Sequence, residues 1–369
     1  MTVATQPRRA RHVPVFHELR VAAVERLTAD AYAVTLAVPE RLREEFRYAA
    51  GQHVNVRCLA AGDDVRRSYS VCDPAPFGAS GPATVRIGVK CLPGGAFSAY
   101  VAERLRPGDP LDVMTPTGGF TPTLDPASAT HYGLVAAGSG ITPLLSIAAT
   151  ALGAEPASTV TLFYGNRSSA SAMFVDALAD LKDRYPGRLA IVHVFSREPR
   201  DAELFTGRLD ADRFDRLLDA LCPVDTVDEW FLCGPFAMVR ELRAYLREHG
   251  ATTVHVELFH ADDSAPPRPV VPADDGETAT VTARLAGRTT TFRLGAADVP
   301  VLEAFLRERG DVPYACRGGV CGTCRARLLE GEVRMDQNYA LDDAELAAGF
   351  VLTCQSHPVT DTVRLDYDA

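Results

Sequence analysis

Short runs in which apolar and polar residues alternate, broken by glycine and proline, fill the first third of the chain. Alternation with a period of two is typical of a half-buried strand. The predicted strands are Ala33–Pro39, His53–Cys58, Arg67–Val71 and Thr84–Lys90, and a helix is predicted at Ala96–Leu105. This spacing of strands and turns predicts a small antiparallel β-barrel over residues 13–125.

From about residue 126 the pattern changes to buried apolar runs, most of them followed by a helical stretch. The predicted strands are His131–Ala137, Val160–Tyr164, Leu189–Phe195, Glu229–Cys233 and Val254–Phe259. The predicted helices are Ile141–Ala151, Ala172–Arg184, Asp210–Leu221 and Phe236–Glu248. Because strands that alternate with helices favour a parallel sheet, we expect an α/β domain over residues 126–260.

A polar, proline-containing stretch at residues 261–277 is typical of a stiff linker between domains. Beyond it, residues 278–369 are predicted to form an α+β domain. Its predicted elements are strands at Ala279–Leu285 and Thr289–Leu294 joined by a hairpin turn, a helix at Pro300–Arg309, and strands at Arg325–Gly331 and Thr362–Leu365. The expected fold class is therefore a multidomain β plus α/β plus α+β protein.

The composition excludes several classes of protein. The formal charge of −10 over 369 residues argues against nucleic-acid binding, which usually shows a basic excess. The sequence has no apolar run of 18 residues that could span a membrane, and its basic N-terminus leads into no apolar signal segment. Five of the nine cysteines lie outside the cluster motif described below. Because an odd remainder favours reduced thiols, we expect a cytoplasmic protein.

The strongest motif is a cysteine loop near the C-terminus. Cys316, Cys321 and Cys324 have the spacing C-x4-C-x2-C, and Cys354 follows after 29 further residues. This is the spacing with which plant-type ferredoxins hold a [2Fe–2S] cluster. Three glycines, which can adopt positive φ, lie within the loop: Gly318, Gly319 and Gly322. The alternatives are a structural zinc site, which usually has two C-x2-C pairs, and unrelated core cysteines.

Two segments of the predicted barrel suit a flavin nucleotide. Arg67-Ser68-Tyr69-Ser70 offers a cation for the diphosphate, a ring to pack on the flavin and a hydroxyl near its N5. Taken alone, it is more typical of a solvent-facing arginine beside a core tyrosine. The second segment comprises Gly88, Val89, Lys90, Gly94, Gly95, Phe97 and Ser98. Since Gly94 and Gly95 open a helix whose amides can bind a diphosphate, the two segments together favour a flavin site.

The predicted α/β domain contains turns that suit a pyridine nucleotide. Gly138, Gly140 and Thr142 lie between a buried strand and a helix, where a diphosphate can approach the helix N-terminus. A tight turn without a ligand is the alternative. No acidic residue ends the second strand; instead Arg167 and Ser168 follow it, and Arg197 follows the third strand. We interpret them as a site for a 2′-phosphate, which favours NADPH, although solvated loop arginines are the alternative.

Three residues at strand ends are candidates for the nicotinamide pocket. Cys233, followed by Gly234, ends one strand, and it is equally well explained as a buried structural cysteine. Glu257 and Phe259 lie at the end of the last strand, where parallel sheets present ligand-facing residues. Phe259 is expected to cover the flavin ring, and Glu257 to orient groups near the nicotinamide; taken singly, each is more typical of core or surface.

In this order, the motifs resemble those of the ferredoxin–NADP reductase superfamily with a C-terminal plant-type ferredoxin domain. That resemblance implies a flavin-binding barrel, a nucleotide-binding parallel sheet and a β-grasp ferredoxin domain. Four further segments are similar to the reductase subunits of ring-epoxidising phenylacetyl-CoA monooxygenases. They are residues 165–168, 196–205, 335–341 and 351–356. The implied partner is the oxygenase component of such a complex, a separate di-iron protein of phenylacetate catabolism.

The resemblance also implies cofactors and roles. The cofactors are FAD, a [2Fe–2S] cluster and NADPH, with NADH possible. The residues implied at FAD are Arg67, Tyr69, Ser70, Lys90, Gly95, Ser98 and Thr142, those at the pyridine nucleotide are Gly138, Gly140, Arg167, Arg197, Cys233 and Gly234, and those at iron are Cys316, Cys321, Cys324 and Cys354. Ser70, Cys233 and Glu257 are the predicted catalytic residues. Two alternatives stay open: a reductase for a Rieske dioxygenase or cytochrome P450, and a non-catalytic redox sensor or electron carrier.

Overall fold

A computed structural model of the protein describes residues 15–60, 63–76, 80–259, 278–295 and 299–369. Among the described residues, 16–259 belong to one compact unit, here the first unit, and 278–369 belong to another, the second unit. The predicted linker at 261–277 and the predicted start of the barrel at residue 13 lie outside the described residues.

Six strands of the first unit form an antiparallel sheet within the described residues. They are β1 (Phe16–Thr28), β2 (Ala31–Ala37), β3 (His53–Ala60), β4 (Asp63–Ser70), β5 (Thr84–Lys90) and β6 (Pro110–Met114), with helix α1 (Ala96–Glu103) between β5 and β6. The strand order is β4-β3-β6-β1-β2-β5. A bridge between Val71 and Ile87 connects the two edges of the sheet, so the strands close into the predicted barrel.

The longest strand of the barrel, β1, was not predicted from the alternation of residues. Leu19 and Val21 are buried in alternation, but the pairing of β1 with β2 shifts register between Val21 and Ala23 and again near Thr28. A β-bulge places two residues opposite one, and the inward-facing set therefore changes phase along the strand. A pattern with a strict period of two cannot follow such a strand.

The second half of the first unit is a five-stranded parallel sheet. Its strands are β7 (His131–Ala137), β8 (Thr159–Asn166), β9 (Leu189–Phe195), β10 (Glu229–Cys233) and β11 (Val254–Glu257), and its helices are α2 (Ile141–Ala154), α3 (Val175–Arg184), α4 (Ala211–Leu221) and α5 (Phe236–Glu248). The strand order is β11-β10-β7-β8-β9. The chain adds β8 and β9 on one side of β7 and then returns to add β10 and β11 on the other side, so the strand order reverses at β7. Ligands of open parallel sheets bind at the carboxyl ends of the strands beside such a reversal.

Several boundaries in this half differ from the sequence prediction by a few residues, among them those of α3 and β11. Helix α3 begins at Val175 instead of Ala172, because Phe174 before it adopts the left-handed conformation with φ of 58°. A serine turn closed by reciprocal hydrogen bonds between Ser168 and Ser171 precedes it. Strand β11 ends at Glu257, so Phe259 lies two residues beyond the strand.

The second unit has a mixed five-stranded sheet in the order β13-β12-β18-β14-β16. Its elements are β12 (Thr278–Leu285), β13 (Arg288–Gly295), α6 (Val301–Glu308), β14 (Arg325–Glu330), β15 (Val333–Met335), α7 (Asp343–Ala347), β16 (Phe350–Leu352), β17 (Ser356–Pro358) and β18 (Thr362–Asp366). Helix α6 packs on this sheet, with Phe305 stacked on Phe292 at 5.4 Å between ring centroids. The predicted fold class, an antiparallel barrel, a parallel α/β sheet and an α+β C-terminal part, is confirmed.

Four short elements of this unit, β15, β16, β17 and α7, were not predicted, because three to five residues give little periodicity. In the part of the chain that the structure describes, no helix has the length and apolar character needed to cross a membrane.

Candidate functional site

The barrel and the parallel sheet meet at a hydrogen-bonded pair of predicted catalytic residues. Ser70, the last residue of β4, donates its hydroxyl to a Glu257 carboxylate oxygen at 3.1 Å. Ser70 is 3 % exposed, and Glu257 is the last residue of β11. The two residues are 187 positions apart in sequence, so the fold brings together groups that the sequence could only assign separately.

His53 joins this pair, and sequence reasoning missed its position. It begins β3 directly opposite Ser70 on β4. Its Nδ1 lies 4.0 Å from the other carboxylate oxygen of Glu257. Gly118 leaves room for the ring, since a Cβ there would lie 2.9 Å from His53 Nδ1. Cross-strand pairing is the signal that could have revealed it, but the sequence predicted His53 only as a strand residue.

Cys233 lies beside Glu257 at the carboxyl end of the sheet, where β10 and β11 pair these two residues. Its side chain is fully buried in the core, and burial, reinforced by the Glu257 carboxylate, raises the pKa of the thiol. The thiol is therefore a neutral apolar group and not a nucleophile. The turn after β7 approaches closely, because a Cβ on Gly140 would lie 2.0 Å from the Cys233 carbonyl oxygen.

The arginine-tyrosine-serine segment presents its side chains in different ways. Arg67 is exposed, and its guanidinium donates to the Arg66 carbonyl at 2.7 Å. The Tyr69 ring lies 5.3 Å from Phe97 between centroids, and burial raises the pKa of its phenol. The Ser68 hydroxyl donates to Asn55 at 2.6 Å. Arg67 is thus available to a ligand at the barrel surface, whereas Tyr69 is partly buried against the barrel core and Ser68 has a partner within the barrel.

Gly88, Val89 and Lys90 lie on β5 but face different surroundings. A Cβ on Gly88 would lie 2.7 Å from the Thr142 methyl group, so this glycine allows the barrel to contact the sheet half closely. Val89 is fully buried in the barrel core. The Lys90 ammonium lies 3.3 Å from Asp30. Burial opposes ionisation of Asp30, but hydrogen bonds from Thr28 and Lys90 outweigh it and lower the pKa of this carboxyl.

The first turn of α1 has the form of an anion site. Gly94 has φ of 75° with no atom near its missing Cβ, and Gly95 is the N-cap residue without any side-chain cap. Ser98 donates to the Gly95 carbonyl at 3.0 Å, and Phe97 is buried. The uncapped amides and the helix dipole suit a diphosphate.

The turn after β7 opens α2 in the same way. One turn of 3₁₀ helix, Gly138–Gly140, leads into α2 without a side-chain cap or an acidic residue in the first turn. Gly138 has φ of 55°, and its carbonyl accepts from the Tyr164 hydroxyl at 3.2 Å. Thr142 donates to the Ser139 carbonyl at 3.0 Å. These contacts fix an uncapped helix start at the sheet reversal, where a nucleotide diphosphate can bind.

The predicted 2′-phosphate residues come together, but with an acidic residue among them. The Arg197 amide donates to the Arg167 carbonyl at 2.8 Å, which joins the loops after β8 and β9. Both arginines are exposed, and the charge of Arg167 contributes to the lowered pKa of Asp30. Glu198 accepts from the Ser169 amide at 2.7 Å and from its hydroxyl at 2.8 Å. The sequence pattern did not place this carboxylate beside the loop after β8.

The four cysteines of the second unit meet in two pairs. A hydrogen bond with Cys321, followed by burial, raises the pKa of Cys316, while the hydrogen bond from Cys324 lowers the pKa of Cys354. Among the described residues, no three cysteine, histidine or acidic side chains converge closely enough to hold one metal ion. Two thiol pairs match the chemistry of two irons, each with two thiolates.

The loop wraps its amides toward the sulfurs. The Gly318 amide donates to Cys316 Sγ at 3.4 Å, and Gly319 donates to Cys354. Positive φ values at Arg317 (54°), Gly319 (75°) and Gly322 (66°) produce this curvature. Gln355, which lies in the segment 351–356 but was assigned no role from the sequence, places its side-chain amide beside Cys354. The donor set fits a [2Fe–2S] cluster, and the barrel and sheet features fit FAD and a pyridine nucleotide.

Three family models match the chain in the order of these sites. An oxidoreductase FAD-binding domain matches residues 18–121, an oxidoreductase NAD-binding domain matches 134–244, and a 2Fe-2S iron-sulfur cluster binding domain matches 283–359. The chain belongs to the ferredoxin–NADP reductase superfamily, among the members with a C-terminal [2Fe–2S] domain. It is an oxidoreductase of the electron-transfer reductase class.

Relatives narrow the class further. The chain is 43 % identical to one of the subunits of the 1,2-phenylacetyl-CoA epoxidase of Escherichia coli (strain K12), over 96 % of this chain and 98 % of that protein. It is 33 % identical to the ferredoxin reductase component of 3-ketosteroid-9-alpha-monooxygenase from Rhodococcus rhodochrous, over 95 % and 96 %. Among solved structures, phthalate dioxygenase reductase matches with a TM-score of 0.56 and 25 % identity, over 95 % of this chain and 98 % of that one.

Proposed function

We propose that the protein is the NADPH-dependent reductase component of a phenylacetyl-CoA epoxidase, supplying electrons to a separate di-iron oxygenase. The observation that carries the reductase chemistry is the contact of Ser70 from the barrel with Glu257 from the sheet, at 3.1 Å. It lies where β10 and β11 end, beside the turn that suits a nucleotide diphosphate. The known chemistry of the cofactors is hydride acceptance from NADPH by FAD, and single-electron carriage by a [2Fe–2S] cluster.

In this proposal the residues of the chain bind the cofactors and orient them for reaction. Arg67, Tyr69, Lys90 and the first turn of α1 hold FAD, and Ser70 with Glu257 lies beside the reacting edge of the flavin. Cys233, neutral and apolar, lines the place of the nicotinamide ring, and Phe259 covers the flavin. The sulfurs of Cys316, Cys321, Cys324 and Cys354 would hold the [2Fe–2S] cluster, which carries one electron at a time. The domains have the boundaries predicted above, and the protein works in the cytoplasm.

The preference for NADPH rests on Arg167 and Arg197. Their loops are joined by a main-chain hydrogen bond of 2.8 Å, so two exposed guanidinium groups follow adjacent strands. Arginine binds phosphate through paired hydrogen bonds. The amide and the hydroxyl of Ser169 both donate hydrogen bonds to the Glu198 carboxylate. These hydrogen bonds compete with any that the carboxylate could accept from ribose hydroxyls.

The proposed acceptor rests on the degree of similarity to named relatives. Identity to the Escherichia coli epoxidase protein is 43 %, and identity to the 3-ketosteroid monooxygenase reductases is 33–34 %. Both relatives match nearly the whole chain, so the difference reflects sequence and not coverage.

The deciding experiment is reconstitution with purified oxygenase. We expect coupled oxidation of phenylacetyl-CoA when the protein, the phenylacetyl-CoA oxygenase and NADPH are combined, and slower turnover with NADH in parallel. Coupled turnover with a ketosteroid oxygenase, but none with the phenylacetyl-CoA oxygenase, would assign a different acceptor. Equal rates with both nucleotides would contradict the role of Arg167 and Arg197.

A further inference from the structure

We propose that the side-chain amide of Gln355 raises the reduction potential of the cluster held by the four cysteines, by donating a hydrogen bond to the Cys354 sulfur. The inference rests on the proposed function, because it requires the cluster to bind in this loop. It assigns a tuning role to a residue that binds no iron itself.

The position of the amide is defined by three acceptors. Gln355 Nε2 lies 2.8 Å from the Arg317 carbonyl oxygen, 3.0 Å from the Cys354 carbonyl oxygen and 3.7 Å from Cys354 Sγ. Because an amide nitrogen has two hydrogens, one of them points to Arg317 and the other is shared between the carbonyl oxygen and the sulfur of Cys354. An amide oxygen cannot donate to carbonyl groups. The two carbonyls therefore orient the side chain so that its NH₂ group, and not its oxygen, faces the sulfur.

The main chain of Gln355 is fixed as firmly as its side chain. Its amide donates to the Leu352 carbonyl at 2.9 Å, and its carbonyl accepts from the Asp336 amide at 2.9 Å. The side-chain Cγ packs 3.2 Å from the place where a Cβ on Gly319 would be. The amide thus joins the loop of the first three cysteines, through Arg317, to the fourth cysteine.

The electrostatic consequence has a definite sign. Reduction adds an electron and increases the negative charge on the sulfurs, so a hydrogen-bond donor stabilises the reduced form more than the oxidised form. Hydrogen bonds to the sulfurs are among the factors that set these potentials. Main-chain donors such as Gly318 remain in every variant, whereas the donor of Gln355 can be replaced.

Two substitutions of Gln355 should shift the reduction potential of the cluster in opposite directions. Gln355→Met keeps the length of the side chain but removes the donor, and Gln355→Lys places a positive donor in the same region. A hydrogen bond to a charged group changes an equilibrium by about tenfold, and only its difference in strength between the two oxidation states shifts the potential. We therefore expect Gln355→Met to lower the one-electron potential by at most about 59 mV. Gln355→Lys is expected to raise it.

Asn338→Leu is the matched control. Its amide also makes two local hydrogen bonds, both of 3.0 Å, but with the main chain of Leu341 and not with a sulfur. We expect this variant to lose stability and to leave the potential unchanged.

The measurement is a redox titration of the whole chain with its cluster, followed by visible absorbance and electron paramagnetic resonance. Potentials that move in opposite directions for the Met and Lys variants support the proposal, and unchanged potentials or shifts of the same sign overturn it. If the Met variant does not assemble a cluster, the Lys variant decides alone, because an unchanged or lower potential overturns the proposal. Failure of the unsubstituted protein to assemble any cluster would instead contradict the proposed function.

Discussion

The two units of the chain build their candidate sites in opposite ways. In the second unit, three of the four sulfurs lie within nine consecutive residues, Cys316–Cys324, and a loop of positive φ values arranges them. In the first unit, Ser70 and Glu257 come from strands 187 positions apart, and His53 joins them from a third strand. A contiguous ligand set can be recognised from spacing alone, whereas a distributed site exists only after the fold has formed.

This contrast is tested most strongly by removing one sulfur. Cys324→Ala should abolish cluster assembly, because a [2Fe–2S] cluster needs all four ligands. Iron content should fall to background, and reduction of a one-electron acceptor should fall with it. Bleaching of the flavin by NADPH should persist, because the first unit is unchanged.

Cys222→Ala is the control for that experiment. Cys222 is 2 % exposed and Cys324 is 3 % exposed, so both variants remove a buried sulfur. Loss of iron from the Cys222 variant would mean that destabilisation, and not ligation, explains the result.

In the first unit, a single substitution at the predicted 2′-phosphate site should weaken the binding of NADPH without weakening that of NADH. Arg167→Ala is expected to raise the KM for NADPH by about 10-fold to 100-fold, because a charge-assisted hydrogen bond to phosphate is lost. The KM for NADH should change little. Steady-state kinetics with both nucleotides measure the difference, and Arg208→Ala, another exposed arginine of the same unit, is the control. An equal rise for both nucleotides would remove Arg167 from the 2′-phosphate site.

The contact between barrel and sheet should behave as a coupled pair. Ser70→Ala and Glu257→Ala are each expected to slow flavin reduction by about tenfold, because each removes the hydrogen bond between Ser70 and Glu257 at the reacting edge. Expressed as activation free energy, the effect of the double variant on flavin reduction should be smaller than the sum of the two single effects, since both substitutions remove the same contact. Stopped-flow reduction under anaerobic conditions measures all three.

Ser146→Ala controls for loosening of the same contact region. Its hydroxyl also crosses from the sheet half to the barrel half, donating to the Asp73 carbonyl at 2.6 Å, but it does not touch Glu257. Strictly additive effects of the Ser70 and Glu257 substitutions would show that the pair does not act together.

The smallest expected effect concerns acid stability. The pKa of Asp30 lies below its ordinary value of 3.8 although burial opposes this, because Thr28 and Lys90 stabilise the carboxylate. A lowered folded-state pKa stabilises the fold above the unfolded value, and this contribution disappears as the pH falls through the folded-state pKa. With Asp30 38 % exposed, we expect less than about 1 kcal/mol.

Asp30→Asn should therefore lower the free energy of unfolding more at pH 7 than at about pH 3, because pH 3 lies below the ordinary carboxyl pKa and closer to the lowered folded-state pKa. Chemical denaturation at both pH values provides the comparison. The difference should shrink at high salt, because salt screens a partly exposed ion pair. An equal loss at both pH values would contradict an electrostatic origin.

The sequence predicted most where local rules are sufficient. Strands Thr84–Lys90, His131–Ala137 and Leu189–Phe195 have the predicted bounds, because short apolar runs between clear turn signals leave little choice. Strand β1 escaped prediction because its bulge changes the phase of the buried positions. Helix α3 begins late because Phe174 takes a left-handed conformation, which no propensity indicates for phenylalanine.

The site residues show the same contrast between those that a local pattern indicates and those that only the fold defines. The cysteine spacing indicated the ligand set directly, but neither His53 nor Glu198 has a local pattern that indicates its place. His53 is defined by its pairing with Ser70 across β3 and β4. Glu198 reaches the loop after β8 from the loop that follows the neighbouring strand β9. Both require knowledge of which strands are neighbours.

Transfer of electrons from the first unit to the second is tested most directly by anaerobic titration of the protein with NADPH, followed by visible absorbance and electron paramagnetic resonance. We predict that the flavin bands bleach and that the signal of a reduced [2Fe–2S] cluster appears in the same titration. Bleaching of the flavin with a cluster that stays oxidised would contradict this transfer.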